Sequence, residues 1–289
     1  MSASSANTLG PALVGRVLDR LEIPVDAAPT QATLRALYAA WCRHVPFDNV
    51  LKMIRINSPE SADLPGCTAS GYFGDWLRHG TGGTCWAGAG ALHALLRAMG
   101  FQAERALGTM LVAPDLPPNH GSVRVRIDGD HFLLDTSILH HEPLLMTETW
   151  ETQVGHPAWG VRCANRDGRW HVRWRPLHRP DGFACRFESF GTGDDEFQQR
   201  YGQTRGWSPF NYQVCARRNR GDEVTGLAFG NYITLHGDGS ITTIHVDDHE
   251  RRRLLIEEFG ISEEIVSQLP ADRPTPPPPG SRTAMENRG

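Results

Sequence analysis

The sequence predicts an α+β chain, and three observations carry that reading. Apolar residues recur at helical spacing through the first hundred residues, alternating residues flank Asp-Gly turns in the middle, and strands and a helix mix at the end. A βαβ order would interleave the two periodicities; here they are segregated.

Leu13 to Leu21 reads as a short amphipathic helix. After Pro29, Leu34, Leu37, Tyr38 and Trp41 follow helical spacing until Val45-Pro46 ends the run. A loop from Asn57 to Gly71 contains Pro59, Pro65 and Gly66, and a short helical turn is expected around Phe73 to Leu77. Gly82-Gly83-Thr84-Cys85 then opens a helix with Leu92, Leu95, Leu96 and Met99 on one face, closed by Gly100. From Ala103 the period becomes two. Val123, Val125 and Ile127 alternate with Arg124 and Arg126, and Asp128-Gly129 turns the chain into His131 to Leu134. Further hairpins are expected at Asp167-Gly168 and through Gly237-Asp238-Gly239, then a helix over Glu250 to Phe259. Trp170 and Trp174 are expected to pack a sheet face, and Arg251-Arg252-Arg253 to form a solvated helix face.

Composition narrows the function. At 289 residues, with 39% hydrophobic and 21% charged residues, the chain has an ordinary globular make-up. A net charge of -4 supplies no basic field for nucleic acid or an anionic membrane, and no stretch is long and apolar enough to span a bilayer. Cys42, Cys67, Cys85, Cys163, Cys185 and Cys215 include no C-x-x-C pair, so neither a zinc site nor a disulfide framework is expected. The first residues lack a signal-peptide pattern, and the expected compartment is the cytoplasm. His140-His141-Glu142 is not read as a metal site, because adjacent strand residues face opposite ways.

Cys85 is the candidate nucleophile. Two glycines let the backbone bend into its helix, whose N-terminal N–H groups and dipole favour a thiolate and could receive an oxyanion. A two-residue Asp128-Gly129 loop would set Ser122 opposite Asp135, making His120 the diagonal neighbour of that carboxylate at about 7–8 Å between backbones. Taken singly, Cys85 also fits a core cysteine, His120 a strand end and Asp135 a turn. Together they match a thiol activated by an imidazole that a carboxylate orients.

Several segments in order resemble the arylamine N-acetyltransferase family. Val45-Pro46-Phe47-Asp48-Asn49 is similar to V-P-F-E-N, Gly82-Gly83-Thr84-Cys85 to R-G-G-x-C, and His120 with Val123 and Val125 to H-x-x-L-x-V. Ile127-Asp128-Gly129 through Leu134-Asp135 resembles the stretch between the family's His and Asp, and Leu254 to Ile261 its C-terminal helix ending. The resemblance implies a helical bundle over residues 1–102, a β-barrel over 103–215 and an α/β lid over 216–270, around a cysteine-proteinase-like core. A disordered tail, 271–289, is expected from its prolines. The resemblance also implies ping-pong chemistry: Cys85 takes an acyl group from a thioester and gives it to a small-molecule amine, with His120 as general base then acid and Asp135 as orienter. No permanently bound cofactor is implied.

The chain departs from the pattern at Thr81 (arginine in the family), Ala87 (Glu or Gln) and Thr136-Ser137-Ile138 (a Gly-rich run near the coenzyme). These changes leave the donor open between acyl-CoA and an acyl-carrier protein, which would then be a partner; no oligomeric state follows. A thiol hydrolase or amidase using the same trio, and a catalytically silent binding module, are the alternatives.

Overall fold

The computed structural model describes residues 8–279 except 59–62, 113, 115, 178 and 180. Pro59, the first seven residues and the tail from 280 onward lie outside the described residues.

The N-terminal third consists of α1 (Pro11–Arg20), α2 (Gln31–His44), β1 (Phe47–Asp48), α3 (Val50–Asn57), α4 (Ala69–His79) and α5 (Cys85–Ala98). Thr30 and Thr68 cap α2 and α4 by accepting from the backbone N–H groups of Thr33 and Gly71. Gly80 ends α4 at φ 75°, in the left-handed region that suits glycine after a helix. The turn expected at Phe73 to Leu77 is therefore the middle of a full helix; Gly71 and Gly74 dilute its sequence signal. The sequence reading also leaves α3 unassigned. In α5 every residue from Cys85 to Leu92 is buried, so the helix is a core element on all sides rather than a one-faced one.

Eight strands follow: β2 (Gln102–Met110), β3 (His120–Ile127), β4 (Asp130–Leu134), β5 (Leu144–Met146), β6 (Thr152–Val154), β7 (Val161–Arg166), β8 (Arg169–Trp174) and β9 (Phe183–Phe190). They form an antiparallel sheet ordered β5-β4-β3-β2-β9-β8-β7-β6. Its outer strands meet, with the Thr152 hydroxyl donating to the Leu145 carbonyl, so the sheet is a nearly closed barrel. Asp128 and Gly129 both have positive φ, 52° and 91°, as the expected two-residue turn requires. The register pairs Ile127 with Asp130 and Val123 with Leu134. One step further, Asp135 lies opposite Ser122, just beyond the end of β4.

After α6 (Asp194–Gln203), a second antiparallel sheet contains β10 (Cys215–Arg220), β11 (Glu223–Ala228), β12 (Asn231–Leu235) and β13 (Ile241–His245). Its outer strand is β1, with Phe47 opposite Arg217. The expected boundary between 215 and 216 thus falls inside β10, and the first hundred residues contribute to the last sheet. Helices α7 (Asp248–Glu257) and α8 (Glu263–Val266) complete the chain. One apolar core joins the helices to the barrel through Trp41, Leu92, Leu96, Val123 and Phe132; another joins α3 to the second sheet and α7 through Met53, Ala216 and Leu255.

Two expectations are corrected here. Arg251 is not solvated: it is 5% exposed and paired with Asp248 and Asp272, while Arg252 donates to the carbonyls of Val266 and Leu269. Part of the expected tail bonds to the rest of the chain: Asp272 accepts from Val214 N, Arg273 N donates to the Tyr212 carbonyl, and Trp207 Nε1 donates to the Pro276 carbonyl.

Candidate active site

The loop before α5 is built by close backbone contact. A Cβ on Gly82 would lie 1.6 Å from the Pro46 carbonyl oxygen, so only glycine fits there. Gly83 takes φ 67°. The Val45-to-Asn49 segment grips this loop: Asp48 Oδ2 accepts from Gly82 N at 2.6 Å, and Asp48 N donates to the Gly83 carbonyl at 3.1 Å. The other Asp48 oxygen accepts from Val50 N at 3.0 Å. Burial pushes the Asp48 carboxyl up to about 6 despite those N–H donors. Tyr72 adds a hydroxyl donated to the Gly82 carbonyl at 2.5 Å. Asn49 accepts from Cys215 N and donates to the Phe210 and Gln213 carbonyls, fastening the same segment to the second sheet.

Cys85, the first residue of α5, is 5% exposed. The barrel brings His120, at the start of β3, and Asp135, beyond β4, to it. His120 Nε2 lies 2.5 Å from Asp135 Oδ2. The carboxylate can only accept, so Nε2 carries the hydrogen and Nδ1 remains for the sulfur. The Cys85 sulfur is close enough to the same imidazole to help raise its pKa. The fold brings the three predicted residues into one buried neighbourhood.

The electrostatics follow from burial and charge. Burial disfavours the His120 imidazolium, but the Asp135 carboxylate, the Cys85 sulfur and their hydrogen bonds outweigh it and raise the pKa to about 10. Asp135 is fully buried, which alone would raise its pKa; the His120 charge and the hydrogen bonds hold it well below the usual carboxylate range. Asp135 Oδ1 accepts from Ser137 N at 2.9 Å, Ser137 Oγ at 2.8 Å and Ile138 N at 2.9 Å. The Tyr38 hydroxyl donates to the Asp135 carbonyl at 2.7 Å and lies 3.0 Å from Asp135 N. With both oxygens and the backbone held, this carboxylate has one orientation.

The sequence reading missed the roles of Tyr38, Asp48 and Ser137. Tyr38 reads as one more apolar position of α2, and Ser137 as a departure on the donor side. The Thr136-Ser137-Ile138 stretch is instead the seat of Asp135. Thr136 also interlocks with α5, because a Cβ on Gly88 would meet its hydroxyl at 2.6 Å. The signal for Ser137 was its position two residues after an aspartate, where a short polar side chain closes a turn. Ala87 packs on the nucleophile loop: a Cβ on Gly83 would lie 3.1 Å from it.

His140, His141 and Glu142 lie on an irregular turn rather than a strand, and His140 Nδ1 contacts the Glu142 carbonyl. Among the described residues no group of three or more His, Cys, Asp or Glu side chains is arranged to hold a metal ion. Among them, too, no helix is long and apolar enough to cross a membrane.

Comparison with known proteins gives one family match and several similar folds. A family model described as N-acetyltransferase matches residues 30–266. The fold is similar to arylamine N-acetyltransferase from Mycobacterium abscessus, at 17% identity and TM-score 0.74, covering 90% of this chain and 93% of that one. It is similar to the Nocardia farcinica enzyme at 22% identity and TM-score 0.74, covering 92% and 96%. A Mycobacterium marinum arylamine N-acetyltransferase in complex with CoA matches at 19% identity and TM-score 0.74, covering 88% and 94%. No curated protein sequence matches.

Proposed function

Because this chain belongs to the N-acetyltransferase family, we propose that it transfers an acyl group from a thioester donor to a small-molecule amine through an acyl-Cys85 intermediate. The observation that supports this reading most directly is the buried Cys85–His120–Asp135 arrangement at the start of α5. His120, whose raised pKa favours the protonated ring, holds the thiol proton at Nδ1 as the sulfur attacks the donor carbonyl. The C–S bond to the donor breaks, and its thiolate leaves with a proton returned from His120. The amine then attacks the Cys85 thioester, His120 accepts the amine proton, and the amide leaves as the Cys85 thiol is restored. Asp135 keeps the imidazole in the tautomer that both half-reactions need.

Acyl-CoA is the favoured donor, since a structurally similar protein is described in complex with CoA; a carrier-protein thioester is the second donor to test. Six free cysteines fit a reducing compartment, and we place the enzyme in the cytoplasm.

Intact-protein mass spectrometry after incubation with acetyl-CoA or an acetylated carrier protein tests the proposal. One acetyl increment is expected, absent from Cys85→Ala and discharged by an arylamine. An unmodified Cys85 with every donor overturns it.

A further inference from the structure

Lys52 is the chain's sole lysine among 29 basic residues, and it is 3% exposed. Its Nζ has one neutral partner, Thr204 Oγ1 at 2.9 Å. Among the described residues no carboxylate stands within ion-pair distance of it. A cation with two spare donors, out of water and without a counter-charge, is costly unless an anion joins it. Lys52 lines a narrow recess together with Thr81, Gly83, Thr84, Ala87 and Tyr201. Thr81, also on the wall and in the place of the pattern's arginine, is 2% exposed, and its Oγ1 is buried without a partner. The recess also lies against the first turn of α5, the positive end of a fourteen-residue helix. Asp75, half-buried and near Arg55, Arg78 and His79, is the acid on its wall.

We propose that this recess binds a small carboxylate, held by the Lys52 ammonium and the Thr81 hydroxyl beside the nucleophile loop. The choice of lysine over arginine fits such a site. Burial pulls the Lys52 amine down to about 7, against a smaller opposing pull from the Cys85 sulfur, so the amine can be neutral there and an arriving anion can recharge it. Tyr72 and Tyr201, the other titratable groups on the walls, stay neutral because burial raises both. The carboxylate could be free or belong to an acceptor amine; the second case rests on the function proposed above.

A sole lysine gives one side-chain nitrogen resonance in the full chain labelled with 15N-lysine. Titration with benzoate should move that resonance saturably and shift the Lys52 midpoint upward, whereas neutral benzamide should do neither. Thr81→Val should weaken benzoate binding about tenfold, as expected for one lost hydrogen bond to a charged group. Lys52→Met should abolish the benzoate-dependent rise in Tm. An Nζ resonance insensitive to benzoate, or one that benzamide moves equally, overturns the proposal. Ratios of kcat/KM for an aminobenzoate and a neutral aniline identify the source. A ratio that falls in Thr81→Val puts the carboxylate on the acceptor; an unchanged ratio with benzoate still bound makes it a separate ligand. If no amine is acylated, the resonance still reports on the recess, so the two ideas fail separately.

Discussion

Replacing Asp135 by asparagine changes one atom and tests the orienting role directly. The three donors on Oδ1 decide how the new side chain sits. Two backbone N–H groups and the Ser137 hydroxyl point at that oxygen, so in Asp135→Asn the amide oxygen stays there and the NH₂ group faces His120. That NH₂ donates to Nε2, which must then accept, and the imidazole hydrogen moves to Nδ1, the nitrogen that should receive the Cys85 proton. The fold retains its hydrogen bonds while the base is lost. The expected loss is about 10⁴-fold in kcat, equivalent to about 5.5 kcal/mol. The assay is the single-turnover rate of Cys85 acylation by acetyl-CoA, with alkylation of Cys85 by iodoacetamide as a donor-independent control. Acylation within about tenfold of the parent rate would refute this account of Asp135.

Tyr38→Phe removes the hydroxyl from both backbone groups of Asp135; a stability loss of about 1–3 kcal/mol is expected in urea unfolding. Gly82→Ala drives a Cβ onto the Pro46 carbonyl and should displace the nucleophile loop, reducing both Tm and the iodoacetamide rate. The pH profile of unfolding should have two limbs. The raised His120 pKa means that its pairing contributes fully below the unfolded value of about 6.5 and is lost as pH climbs through about 10. The lowered Asp135 pKa means that the same pairing contributes fully above about 3.9 and is lost in stronger acid. His120→Gln should flatten the alkaline limb in urea titrations.

The sequence was most legible where local chemistry dictates geometry. The Asp128-Gly129 dipeptide specifies a turn of known twist, and that turn alone places Ser122, His120 and Asp135 in register. The glycines before Cys85 likewise announce a sharp entry into a helix. Positions fixed by partners far along the chain stayed hidden. Tyr38 and Asp135 are 97 residues apart, and nothing in the helical spacing of α2 distinguishes a hydroxyl aimed at a backbone from a ring in a core. The burial of Lys52 depends on α6, and that of Arg251 on Asp272, which the sequence reading placed in a disordered tail. Helix α3 escaped notice because eight residues give too few turns for a periodic signal.

The strand Phe47–Asp48 sits between two distant parts of the chain, meshed with the Gly82-Gly83 backbone on one side and paired with Arg217 and Ala216 on the other. The Asn49–Cys215 contact spans 166 residues. A nascent polypeptide that has emerged only as far as the barrel therefore has the Asp48 and Tyr72 contacts to the nucleophile loop but not the sheet that anchors β1. The anchor of β1 forms only when Cys215 and the strands after it arrive to close that long circuit. A product truncated before Cys215 should therefore carry the thiol, imidazole and carboxylate on a support that lacks its outer fastening.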